Sequence, residues 1–303
     1  MASFLQIPYR EARHGIWGEQ TSTLNWCEED YNITYYCAEF VNSITNLMFI
    51  WLGIRGIRDC IRFRHRPVFV IACIGYIVVG LGSIAFHTTL KYSMQLADEL
   101  PMIYATCIIG HATFSYGKSP ATSRLIGFGL FCLGLLITVV YHVTKEPVFH
   151  QVSFACLTIA VVFRSMYDME KTLRPALKIR SPGRADAIML QMWKMCLSGI
   201  ALFLVGFLIW NMDNFFCLYL RSWRDILLLP WAVVLEGHAW WHIFTGLGSY
   251  YFIMWRMWLH TCLDGKEDEF ALQWTNALTS IPRVVPVSDL ERANGSSKRR
   301  RLD

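Results

Sequence analysis

The apolar residues of this chain are gathered into blocks of bilayer length. Six stretches carry no Asp, Glu, Lys or Arg: Pro67–Leu90, Leu100–Gly117, Leu125–Thr144, Pro147–Phe163, Met195–Met212 and Gly237–Trp255, each 17 to 24 residues long. A seventh, Tyr31–Ile54, covers 24 residues with one charge, Glu39. About 20 mostly apolar residues in a helix cross a ~30 Å hydrocarbon core. A soluble helix keeps one face polar, so apolarity sustained over this length points to lipid outside. The pattern predicts an all-α membrane protein, a bundle of seven transmembrane helices. It divides the 303 residues into a segment 1–30, a seven-helix domain 31–260 and a polar tail 261–303, expected to be disordered.

Composition agrees and narrows the class. Hydrophobic types make up 54% and charged types 17%, against roughly 25% charged in average soluble domains, and the mean hydropathy is +0.33. A disordered chain, a coiled coil and an ordinary cytosolic enzyme are excluded. The net charge of +5 reads as topology and not as a nucleic-acid surface. The connections after helices 1, 3 and 5 hold twelve Lys or Arg, while the opposite side holds six. By the positive-inside bias the amino end faces the lumen or exterior and the tail faces the cytosol. The tail's Lys298–Arg301 run suits a solvated end or contact with anionic lipid. Of ten cysteines, only Cys27, Cys37 and Cys217 fall near the lumenal face. Cys27 precedes helix 1 and Cys217 follows helix 6, an economical pair in an oxidising compartment, with two free thiols as the alternative.

Against this background the polar residues inside the helices carry the chemistry, because an ionisable group there is expensive. His238 and His242 lie four residues apart at the start of helix 7, on one face and within reach of one metal ion. Helix 2 runs toward the same side and presents His87 at its end, with Ser83 one turn deeper. Three neutral imidazoles with an open fourth position describe a catalytic rather than a structural zinc. Asp98, just before Pro101, reads either as the N-cap of helix 3 or as a site residue. A second cluster surrounds the entry to helix 1: Asn25, Glu28, Glu29 and Asp30, then Glu39, Asn42 and Asn46 on one helical face. Such oxygens suit a hard cation such as calcium, or simply a solvated turn.

Several motifs then carry a resemblance: Thr21-Ser22-Thr23-Leu24-Asn25-Trp26-Cys27-Glu28-Glu29, Ala38-Glu39-Phe40, Gly82-Ser83 with Phe86-His87, Gln95-Leu96-Ala97-Asp98-Glu99-Leu100-Pro101-Met102, Lys145-Glu146-Pro147-Val148-Phe149-His150-Gln151, Trp210-Asn211-Met212-Asp213-Asn214 and His238-Ala239-Trp240-Trp241-His242. In this order, from about Trp17 to Tyr250, they are similar to the alkaline ceramidase family. The resemblance implies an intramembrane amidase of the endoplasmic reticulum or Golgi that splits ceramide-type lipids into sphingoid base and fatty acid. Its zinc ligands fall on His87, His238 and His242, and its catalytic serine and aspartate on Ser83 and Asp98. Its calcium site falls on Asn25, Trp26 (through the carbonyl), Glu28, Asp30 and Glu39, where an Asp is common at 25 and an Asn or similar at 30. Its disulfide falls on Cys27 and Cys217. The alternative is a zinc-containing seven-helix receptor of the adiponectin or progestin receptor type.

Overall fold

The computed structural model describes residues 7–9, 14–275 and 280–292, so the Lys298–Arg301 run lies outside the described residues. The described chain is mostly helical. In order it forms α1 (Phe40–Thr45), α2 (Leu47–Arg62), α3 (Pro67–Thr89), α4 (Tyr92–Phe114), α5 (Pro120–Thr144) and α6 (Pro147–Tyr167). There follow a π-helical turn (Asp168–Leu173), α7 (Arg174–Arg180), α8 (Ala185–Phe215), α9 (Cys217–Leu227) and α10 (Gly237–Leu263). Pro67, Pro120 and Pro147 each start a helix, where the missing N–H has no partner to lose.

Five stretches are long and apolar enough to cross a membrane: Phe40–Arg62, Pro67–Thr89, Pro120–Thr144, Pro147–Arg180 and Ala185–Phe215. The other two expected spans are also helices, α4 of 23 residues and α10 of 27. Their apolarity is diluted by polar groups that the bundle buries: Gln95 and Glu99 on α4, and His238, His242, Arg256 and His260 on α10. The outer surface shows the reverse, with Leu125, Phe128, Phe131, Leu136 and Val143 of α5 exposed. α10 is the central element, buried at every residue from Ile253 to Cys262. It approaches α8 closely where Gly199 and Gly248 meet; a Cβ at 248 would lie 3.0 Å from the Gly199 carbonyl oxygen.

Two boundaries differ from the sequence reading. The first helix begins at Phe40, nine residues later than the apolar block, because Tyr31–Glu39 folds into turns that dock on the end of α3. The N–H groups of Ala38 and Glu39 donate to the carbonyls of Thr88 and His87 at 3.0 and 2.9 Å, satisfying acceptors that a helix end leaves open. The tail is not disordered throughout: β1 (Phe270–Gln273) and β2 (Arg283–Pro286) pair antiparallel, with Ala271 opposite Val285. The hairpin buries Leu272, Val284 and Val285 against the bundle. Arg283 donates to both carboxylate oxygens of Asp59 at 2.7 and 2.5 Å, and His65 Nε2 lies 3.0 Å from the Val284 carbonyl. At the other end of the bundle, Cys27 and Cys217 form a disulfide that ties the amino-terminal segment to α9.

A candidate metal centre at one end of the bundle

His87 stands in the last turn of α3, which Leu90 ends in a left-handed conformation (φ +50°). His238 and His242 stand in the first two turns of α10. Asp213 of α8 fixes where α10 begins: its Oδ1 accepts the Gly237 N–H at 3.1 Å. A Cβ at 237 would fall 2.6 Å from the Asp213 Cβ, so glycine is what permits the contact. The three imidazoles converge, with ring centroids 4.7 to 5.1 Å apart. One nitrogen from each lies within 4.8 Å of the other two, and all three residues are buried.

A hydrogen bond fixes which nitrogen His87 offers, and others orient His242. His87 Nδ1 donates to the Glu39 carboxylate in a very short contact, which leaves His87 Nε2 buried and unpartnered. His242 Nδ1 lies 3.0 Å from Thr45 Oγ1. Asn46 Nδ2 lies 3.2 Å from the same nitrogen, so two neighbours orient the His242 ring from behind. A carboxylate or hydroxyl behind a ligand imidazole is the usual means of fixing its tautomer and orientation. His238 is held by packing: the Trp26 indole stacks on it, centroids 4.2 Å apart and planes 21° apart.

Ser83 is buried one turn before His87, and its hydroxyl hydrogen-bonds the Asp98 carboxylate from α4. Asp98 is not the cap the sequence allowed: α4 starts at Tyr92, so Asp98 lies in its second turn. Pro101 has no N–H to offer the Ala97 carbonyl four residues earlier. Gly82 packs against that same carbonyl, where a Cβ would sit only 1.9 Å from the oxygen. The freed carbonyl and the bare glycine let α3 and α4 touch, which brings Ser83 to Asp98.

The acidic segment assembles beside this centre. Asn25 Nδ2 donates to Asp30 Oδ2 at 3.1 Å, and the Trp26 N–H donates to Glu39 Oε1 at 3.1 Å. Asp30 Oδ1 is buried with no partner. Glu28 turns elsewhere: its two oxygens accept the N–H groups of Val41 and Asn42 at 2.7 and 2.8 Å and cap α1 from a distance. Burial, followed by repulsion from Glu39, pushes both acids up, Asp30 to about 6. Glu236 is raised as well, by burial and then by Glu28, despite its 2.9 Å ion pair with Arg224. Five carboxylates, at residues 28, 30, 39, 213 and 236, thus share this end with the guanidiniums of Arg221 and Arg224. The excess of negative charge suits a cation.

Sequence reasoning passed over several residues here. Thr45 carries no signal in the pattern, and Asn42 and Asn46, read with Glu39 as one face, bond Glu39 and His242 respectively. His150, named only within a motif, is 3% exposed and reaches the Glu99 carbonyl at 2.9 Å. Glu99 in turn accepts from Tyr141 and from Gln95, which also binds Thr23. Two charge-free blocks contained Tyr141 and His150, but the partners that bury them come from other helices.

Comparison with known proteins places this site in a family context. The family model described as Ceramidase matches residues 18–285. Alkaline ceramidase 3 of Mus musculus is 40% identical over 250 residues, covering 82% of this chain and 88% of the relative. The alkaline ceramidase YPC1 of Saccharomyces cerevisiae is 34% identical over 254 residues, covering 79% and 77%. An alkaline ceramidase of Arabidopsis thaliana is 27% identical over 239 residues, covering 78% and 82%.

Proposed function

The chain belongs to the ceramidase family, and from that membership we propose that it hydrolyses the amide bond of ceramides within the membrane, with a zinc ion held by His87, His238 and His242. The observation that supports the metal is the buried His87 Nε2 without a partner, facing two further imidazoles beside Ser83 and Asp98. All-imidazole donor sets suit zinc. Held there, zinc would supply Lewis acidity toward an amide carbonyl and lower the pKa of water toward neutrality.

The remaining steps belong to the chain's own side chains. Asp98 takes a proton from the attacking water at its carboxylate and returns it to the departing amine. Ser83 donates its hydroxyl to the oxyanion that develops on the carbonyl oxygen, an interaction worth about 3 kcal/mol by analogy with other oxyanion donors. Glu39 holds His87 in the tautomer that faces the reacting centre, and Thr45 and Asn46 orient the His242 ring. A substrate with two long chains is costly to lift from the bilayer, about 0.8 kcal/mol per CH₂ exposed, so a site set among the spans meets it in place.

The seven-span reading goes with this function: Phe40–Arg62, α3, α4, α5, α6, α8 and α10 cross, with the His end in the lumen of the endoplasmic reticulum or Golgi and the hairpin in the cytosol. Asn25, Asp30, Glu39 and the Trp26 carbonyl would hold a calcium ion in the neighbouring acidic segment. Glu28, committed to the α1 amides, adds its charge more than its lone pairs. The test is metal exchange on the purified protein with labelled ceramide. Chelation removes turnover, Zn²⁺ restores it, and Mg²⁺ does not; turnover that survives complete removal of zinc refutes the mechanism.

A further inference from the structure

The connection between α8 and α10 contains a helix that the chemistry above leaves without a role. α9 has eleven residues, about 16 Å at 1.5 Å per residue and too short to cross a bilayer. One face exposes Leu218, Tyr219, Trp223 and Ile226, the last 74% accessible. The spacing of these residues is that of a single helical stripe. The opposite face is firmly attached to the bundle. Cys217 is in the disulfide. Arg221 Nε and Arg224 Nη1 donate to the Cys27 carbonyl at 3.0 and 3.1 Å, and Arg224 also pairs with Glu236. A contiguous exposed apolar face of this kind marks an interaction surface.

Its surroundings identify the partner. α8 is lipid-facing along Leu204, Leu208 and Met212, and ends at Phe215, which is 87% exposed; α9 begins two residues later. The apolar face of α9 therefore continues the outer surface of the spans around a corner. Beyond it, Trp231 and Val234 are exposed as well. Tyr and Trp within the stripe are the side chains that settle at the headgroup level of a bilayer. We propose that α9 is an interfacial helix seated in the headgroup–acyl boundary of the leaflet at the His end, with the lipid surface as its partner. Its other face grips Trp26–Cys27 and Glu236, the residues that stack on His238 and precede Gly237. The lipid seat of α9 thus steadies the platform on which the metal-binding start of α10 rests. The proposal needs the membrane, but not the identity of the reaction.

The test uses the full chain in phosphatidylcholine liposomes containing lipids brominated near the headgroup end of their acyl chains. In a Cys132→Ser/Cys156→Ser background, which removes the exposed free thiols, Ile226→Cys and Asp225→Cys are each labelled with an environment-sensitive fluorophore. The label at 226, in the middle of the stripe, loses about half its emission to the bromolipid, while the label at 225 on the flank loses little. Without any label, Trp223→Phe lowers the fraction of tryptophan emission that bromolipid quenches. Equal, weak quenching at both labelled positions, with no change on Trp223→Phe, overturns the proposal. So does an Ile226→Cys label shielded from lipid and cross-linking to a second copy, which would make the face a protein interface.

Discussion

The two ends of the bundle handle charge in opposite ways. At the hairpin end five carboxylates each have an arginine of their own: Asp59 with Arg283, Asp264 with Arg66, Glu267 with Arg180, Asp268 with Arg184 and Asp289 with Arg62. At the His end the carboxylates outnumber the guanidiniums, and they lean on backbone N–H groups and a histidine. Paired charges close a structure. Unbalanced charges, with lone pairs left over at His87 Nε2 and Asp30 Oδ1, leave room for something the chain does not itself supply. Both ends bury polar groups, so burial alone does not mark the functional end; the missing counter-charge does.

Substitutions at the two ends test that difference. The largest effect belongs to the ligands. His238→Ala or His242→Ala removes zinc, read by elemental analysis, and lowers ceramide turnover by more than the ~100-fold that a lost outer partner costs. Turnover and zinc both retained would undo the comparison. Glu39→Gln comes next. It keeps an acceptor for His87 but loses the charge, and zinc affinity falls ~10–100-fold, together with any stimulation by calcium. A calcium response equal to that of the parent removes Glu39 from the cation site. Asp59→Asn at the hairpin end is milder. It weakens the bidentate contact with Arg283, costs about 1 kcal/mol in a thermal unfolding assay and leaves turnover per bound zinc unchanged.

The smallest effect is the response to pH, and it has opposite signs at the two ends. Burial opposes ionisation of Glu267, but hydrogen bonds from Arg180 prevail and hold it below the usual carboxylate range. Its stabilising contribution is therefore present above the ordinary glutamate value and is lost as pH falls. Asp30 is raised to about 6. In cation-free protein its contribution is present below the ordinary aspartate value and is lost as pH climbs toward 6. Hydrogen exchange resolved by segment should show Lys266–Gln273 loosening in acid and Asn25–Tyr31 loosening above pH 6, the latter reversed by added calcium. A parallel response at both ends would mean that the charge imbalance has no energetic weight.

The convergence of the three histidines was legible in the sequence because it rests on local rules. An i,i+4 spacing places two imidazoles on one face, and the alternation of helix direction brings His87 to the same level. Ser83 followed from the same arithmetic. The arrangement behind the trio was not legible. Glu39 reaches His87 only because the turns of Tyr31–Glu39 bond the last carbonyls of α3, a tertiary contact that periodicity does not encode. Glu28 reads as one more solvated acid until its oxygens are seen capping a helix that starts twelve residues later. The hairpin was taken for tail because its strands are four residues each and are set in polar sequence. α4 and α10 fall short of the apolarity of the five candidate spans because they carry polar groups that the bundle buries.

Gly82 shows how narrow the margin between fold and chemistry is. Its bare Cα meets the Ala97 carbonyl that Pro101 leaves free, and a single methyl at 82 would overlap that oxygen. The three histidines lie outside this contact, on the far turn of α3 and on α10, so Gly82→Ala wedges α4 aside without altering a ligand. The product would be a decoy that keeps its three histidines and still admits lipid, yet has Asp98 drawn away from Ser83. Such a form would hold an uncleaved substrate in place long enough for it to be seen.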